Sequence, residues 1–146
     1  MVDRKFLEQY EDMVSEIPEI EVKIKQLEEK IKRIEEGETV IDSVKGGNGG
    51  TQHFVIEGVP IPMYTKNKSR LLSLKLSYEL LRVEVEDKVT EIEEFIATIP
   101  DSRIRRIVSM KYIEGLSWHE TAERLGRYAT ADSARKEFER FFRRMS

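Results

Sequence analysis

The chain has 146 residues, 39% of them hydrophobic and 36% charged, with a formal net charge of −3; that is heavy in charge for a compact globule and suits long helices with solvated faces, arranged as one domain or two small ones. Cysteine is absent, which excludes a disulfide framework and thiolate metal ligation and fits a reducing compartment. No apolar run approaches the roughly 20 residues that span a bilayer, and no apolar signal core follows Met1 to Lys5, so a cytoplasmic protein without a membrane partner is expected.

The first segment places Phe6, Tyr10, Met13, Ile17, Ile20, Ile24, Leu27, Ile31 and Ile34 at alternating spacings of four and three. This is the apolar seam of a heptad repeat. Glu21 with Lys25 and Glu28 with Lys32 add i,i+4 pairs in the favourable order. Pro18 lacks an N–H and disfavours helical geometry at Ile17. A break or kink is therefore expected there, with Pro18 opening the longer helix and Gly37 closing it.

From Glu38 to Tyr64 the helical period stops. Two β-branched runs, Thr39 to Lys45 and Thr51 to Val59, flank Gly46-Gly47-Asn48-Gly49-Gly50, a pattern that predicts a β-hairpin at about 39–59 with a glycine-rich tip. The tip lacks the terminal Gly-Lys-Ser/Thr of a phosphate-binding loop and leads toward a strand instead of a helix, so no nucleotide cofactor is expected. Pro60 and Pro62 end the strand character. A second long helix is predicted from Lys68 or Ser69 to about Thr98, with its seam at Leu71, Leu74, Tyr78, Leu81, Val85, Ile92, Phe95 and Ile99 and with Lys88 in one apolar slot. Two seams separated by a turn-back pack most simply as an antiparallel, coiled-coil-like helical hairpin. Leu72, Leu76, Leu80 and Val83 lie outside that seam and call for a third surface: the β-hairpin, the C-terminal module or a second copy of the chain.

Ile99-Pro100-Asp101-Ser102 is the strongest punctuation in the chain, and it divides a helical stalk, 1–99, from a C-terminal module, 100–146. Arg103 to Ile113 reads as a helix with Ile104, Ile107 and Val108 inside, ended by Gly115. Ser117-Trp118-His119-Glu120 has the S-x-x-E form of a capping box. Ala122 supplies the small residue that two steeply crossing helices need, and Gly126 supplies a left-handed cap. Thr130 then caps a basic helix, from about Ala131 to Arg144, whose inner positions are Ala134, Phe138, Phe141 and Phe142. A short helix, a glycine-containing turn and a longer helix are the parts of a helix-turn-helix, here the last two helices of a three-helix module.

Charge divides along the same boundary. Residues 101–146 carry 11 Lys+Arg against 7 Asp+Glu, a balance of +4, while the first 100 carry −7. A basic helix-turn-helix on an acidic support makes double-stranded DNA the leading ligand. Candidate DNA-contacting residues are Arg127, Tyr128, Thr130, Asp132, Ser133, Arg135, Lys136 and Arg140, because the N-terminal part of the second helix meets base edges and flanking basic groups meet phosphate. Catalysis is not expected, since the carboxylates lie at helix-surface spacing with no acid and base pair placed by sequence. His119 and His53 stand in different segments without cysteine or carboxylate partners at ligand spacing, so no metal or other cofactor is expected either.

The run from Glu114 to Gly126 resembles the helix-turn-helix of bacterial sigma factor region four, the domain that reads the −35 promoter element. Thr121 stands where that motif usually has an aliphatic residue, and the stretch from Gly126 to Ser133 is longer than its turn. The whole arrangement is more similar to phage and prophage transcription regulators of the RinA and ArpU type: a helical N-terminus, a mid-chain glycine-rich hairpin and a module ending in Arg135-Lys136-Glu137-Phe138-Glu139-Arg140-Phe141-Phe142. The resemblance implies a regulator of phage genes that reads the major groove with its last helix, and it carries over Ser133, Arg135 and Lys136 as DNA-facing. The stalk is then left to form a homodimer or to contact RNA polymerase. Two rival expectations are a small terminase subunit, also built from a helix-turn-helix and helical oligomerisation segments, and an interaction module that docks on polymerase or another protein without touching DNA.

Overall fold

A computed structural model describes residues 1–37 and 60–145, and within them the chain is mostly α-helical, with no strand among the described residues. The helices are α1 (Arg4–Glu35), α2 (Pro60–Thr98), α3 (Ser102–Val108), α4 (Trp118–Leu125) and α5 (Ala131–Met145), with a π-helical turn, Ser109–Ile113, continuing α3. The β-hairpin expected at about 39–59 lies outside the described residues. None of the described helices is long and apolar enough to cross a membrane. The chain forms two compact units, Ser15–Arg82 and the combination of Met1–Val14 with Val83–Ser146.

Both long helices depart from their expected ends. Helix α1 starts behind Asp3, whose carboxylate accepts a hydrogen bond from Phe6 N at 2.8 Å, and it runs through Pro18 without ending. Proline there removes one backbone bond, to the carbonyl of Val14. Apolar seam residues continue on both sides of it, and none of the nine from Phe6 to Ile34 is exposed. Burial of the seam therefore outweighs the lost bond. Helix α2 begins at Pro60, well before the predicted Lys68, because proline in a first turn gives up no intrahelical bond and its fixed φ is already helical.

In Ser15–Arg82 the two helices are antiparallel. Glu35, Glu28 and Glu21 of α1 meet Tyr64, Lys75 and Tyr78 of α2 in reverse order, through hydrogen bonds at 2.8 Å and 3.0 Å for the tyrosines and an ion pair at 3.3 Å for Lys75. Leu27, Ile31, Ile34 and Leu81 are buried in this unit, as the seams require.

The larger core lies in the other unit. Val2, Leu7 and Tyr10, Ile92 and Ile99, Ile104, Ile107 and Val108, and Ala134, Phe138 and Phe142 form one buried cluster. At its centre, the Phe138 ring lies 5.7 Å from Tyr112, 5.4 Å from Trp118 and 4.7 Å from Phe142, and Phe95 meets Phe142 at 5.8 Å. Rings from three elements, α2, the π-helical turn and α4, thus converge on α5. The π-helical turn allows this, since the extra residue in its bonding, Glu114 N donating to Ser109 O at 3.0 Å, turns both Met110 and Tyr112 inward. Burial, reinforced by the nearby Glu11 carboxylate, pushes the Tyr112 hydroxyl well above its ordinary value and keeps it neutral.

Truncating Phe138→Ala should cost about 3–5 kcal/mol, measured by urea unfolding, because it empties the centre of the aromatic cluster. Thr121 is fully buried and its Oγ1 has no hydrogen-bond partner among the described residues. Thr121→Val keeps the branched shape and removes the unsatisfied hydroxyl, so the same measurement should show a gain of about 1 kcal/mol.

Candidate nucleic-acid interface

Helices α4 and α5 and the turn between them carry the candidate residues. Helix α4 starts in the expected capping box: Ser117 Oγ accepts from Glu120 N at 3.1 Å, and Glu120 Oε1 accepts from Ser117 N at 3.0 Å. The bond from the Ser117 backbone holds the Glu120 carboxyl below the usual range. Ala122 and Ala134 are both buried, at 3% and 0% exposure, which lets α4 and α5 approach closely. Helix α4 ends at Gly126, with φ at 64° and its N–H donating to Ala122 O at 3.1 Å.

The turn has a feature that the sequence did not announce. Arg127 and Tyr128 follow Gly126 in the left-handed region, with φ of 53° and 64°. A non-glycine residue held there costs about 1–3 kcal/mol. Tyr128 gains no burial in exchange, because its side chain is fully exposed. The bond from Ala129 N to Gly126 O at 3.0 Å closes the turn.

Helix α5 opens with a second reciprocal cap. Thr130 Oγ1 accepts from Ser133 N at 3.0 Å, and Ser133 Oγ accepts from Thr130 N at 2.8 Å. The Ser133 hydroxyl also donates to Thr130 O at 3.1 Å. Thr130 is therefore the cap that its position predicted, and Ser133, half-buried, shares that role.

The charged residues of α5 sort by direction. On its flanks, Glu137 accepts three bonds from the Arg103 guanidinium, at 2.9, 3.1 and 3.2 Å, and Glu139 pairs with Arg4 at 2.6 Å. These carboxylates tie α5 to α3 and to the start of α1. Lys136, Arg140 and Arg143 recur at i, i+4 and i+7 on the outer face, all exposed, with Asp132 at its N-terminal end. Asp132 pairs with Arg135 at 2.8 Å and with Lys136 at 3.0 Å, and those two cations hold its carboxyl below the usual range. Among the described residues, Arg127, Arg140, Arg143 and Arg144 form no ion pair with a carboxylate.

Seven of the eight sequence candidates, Arg127, Tyr128, Thr130, Asp132, Arg135, Lys136 and Arg140, are thus exposed along one turn and one helix, and Ser133 is half-covered among them. Arg143 and Arg144 belong to the same surface. Continuing the Lys136 to Arg140 spacing of four by one more step would have reached Arg144, and a step of three Arg143. Arg106 and Arg124 form a separate exposed pair, where Arg106 donates to Arg124 O at 3.2 Å and Arg124 binds Glu114 at 2.5 Å. No group of three metal-ligating side chains occurs among the described residues.

No protein-family model, curated protein or solved structure matches the chain. The arrangement can therefore be judged only on its own chemistry: a cationic helix face, held in place by inward carboxylate bonds and preceded by a protruding Arg127-Tyr128 turn.

Replacing Tyr128→Gly relieves the left-handed strain at a side chain that packs on nothing. Thermal or urea unfolding should show a gain of about 0.5–1 kcal/mol; an unchanged midpoint would mean that the turn is not strained in solution.

Proposed function

We propose that this protein is a DNA-binding transcriptional regulator, of phage or prophage genes as its motif resemblance implies, and that it engages duplex DNA with α5 and the turn before it. The observation that carries this reading is the exposed Lys136, Arg140 and Arg143 face, whose neighbouring carboxylates Glu137 and Glu139 are drawn to the flanks by Arg103 and Arg4. A helix face with this charge suits the phosphate-lined walls of a major groove. Arg127 and Tyr128, projecting ahead of the helix, are placed to meet the backbone beside it. Asp132 has two cations already bound, and it keeps Arg135 and Lys136 extended across the first turn of α5 until phosphate or a base edge replaces it. Ser133 and Thr130 act by capping, which fixes the direction in which that turn points. Reading by α5 inside the groove makes Arg135 the residue best placed to contact a base, through its fork of donors.

The measurement that tests this is fluorescence polarisation of labelled duplex as a function of salt. Each phosphate contact contributes about 0.9 to the slope of log K against log salt. The double variant Lys136→Ala with Arg140→Ala should weaken binding on every sequence and reduce the slope by about 1.8. Arg135→Ala should cost about 1–3 kcal/mol on the preferred site and much less on random duplex. No retention of random duplex by micromolar protein at low salt would overturn the reading and leave a module that docks on protein.

A further inference from the structure

Helix α2 has a second apolar face, opposite its seam. Leu72, Leu76, Leu80 and Val83 are 72%, 62%, 58% and 55% exposed. Their spacings of four, four and three keep them on one stripe of the helix, whereas Leu71, Leu74 and Leu81 of the seam are half-buried or buried. Four large aliphatic side chains in a row are far more than the isolated exposed leucine that any surface tolerates.

The charges beside the stripe indicate what covers it. From Pro60 to Ser77, α2 carries Lys66, Lys68, Arg70 and Lys75 and no carboxylate, whereas from Tyr78 to Thr98 it carries seven carboxylates against two cations. The change of sign falls at Ser77–Tyr78, which is also the midpoint of the Leu72 to Val83 stripe. A surface that is apolar along its middle, basic at one end and acidic at the other is complementary to itself when turned end for end.

We propose that α2 is a homodimer interface, in which two copies of the chain pack antiparallel along Leu72, Leu76, Leu80 and Val83 about a two-fold axis near Ser77–Tyr78. That axis sets Leu72 against the partner's Val83 and Leu76 against the partner's Leu80. It brings Lys68, which flanks the stripe on the same side as Glu86, beside the partner's Glu86, and this pair occurs twice. A parallel pair would instead align Lys68 with its own copy and Glu86 with its own copy, so charge favours the antiparallel arrangement and opposes the parallel one. The inference does not rest on DNA binding, and its test uses the free protein.

Sedimentation equilibrium of the full chain should give a dimer. Leu76→Lys should weaken it more than ~100-fold, since the substitution is felt at both symmetry-related positions. Helical circular dichroism should be unchanged because the replaced side chain is exposed, and Leu80→Lys should repeat the result. Orientation is read by cross-linking, which the absence of native cysteine makes clean. Lys68→Cys and Glu86→Cys proteins, mixed and treated with a short bismaleimide, should link to each other. Neither should link to itself, because identical positions lie about 27 Å apart along antiparallel helices at 1.5 Å per residue. A monomer at all concentrations, a dimer indifferent to Leu76→Lys and Leu80→Lys, or self-linking of either cysteine variant would each overturn the proposal.

Discussion

The packing of α5 against its surroundings is the constraint on which the candidate surface depends. Phe138 and Phe142 are buried at one turn's spacing, and the rings they touch come from α2, the π-helical turn and the start of α4. A fifteen-residue helix with this many charges has little stability alone, since short helices in water are marginal and gain most of their stability from tertiary burial. The aromatic cluster supplies that burial and also fixes the rotation of α5 about its axis. Rotation decides which charges face outward. With Ala134, Phe138 and Phe142 turned in, Lys136, Arg140 and Arg143 are turned out.

Electrostatics then refines what packing sets. The acidic residues of the module are mostly engaged: Asp101 caps α3, Glu120 closes the capping box, Glu114 holds Arg124, and Glu137 and Glu139 bridge to Arg103 and Arg4. Exposed ion pairs of this kind contribute little stability each. Their larger effect is on the field, because a carboxylate held at a helix flank leaves the outer face cationic within about a Debye length. The net charge of −3 and the cationic face of α5 are therefore compatible, since a partner at close range meets the local charge and not the sum.

The turn between α4 and α5 shows where local rules and tertiary demand conflict. Glycine at 126 is the residue a left-handed cap prefers, but the chain keeps the left-handed conformation for two more residues, at Arg127 and Tyr128. The capping box at one end and the reciprocal Thr130 and Ser133 cap at the other fix both helices, and the intervening backbone must close the gap between them. Strain of this kind persists only where its surroundings over-determine it. Its outcome is the outward projection of an aromatic ring with no packing of its own.

Much of the architecture was legible in the sequence because it follows from periodicity and from local hydrogen-bond chemistry. The heptad seams of α1 and α2, the S-x-x-E box, the glycine stop at Gly126, the cap at Thr130 and the inward Ile104, Ile107 and Val108 each involve residues within a few positions of one another. Boundaries were misread where a local rule met a longer apolar pattern: Pro18 does not interrupt α1, and α2 begins at Pro60. Of the candidate surface, the sequence reached eight residues and missed Arg143 and Arg144 through stopping a turn too early. It could not foresee the partners that orient the surface, since Arg103 with Glu137 and Arg4 with Glu139 join residues far apart in the chain. Nor could it foresee that the core crosses Ile99-Pro100, so that Leu7, Tyr10 and Ile92 pack with Phe138 and Phe142. Sequence alone determined where the body of each helix lies and which of its faces is apolar, because both follow from spacing. Only the tertiary structure decided which apolar faces found partners, for burial requires a neighbour and spacing does not name one.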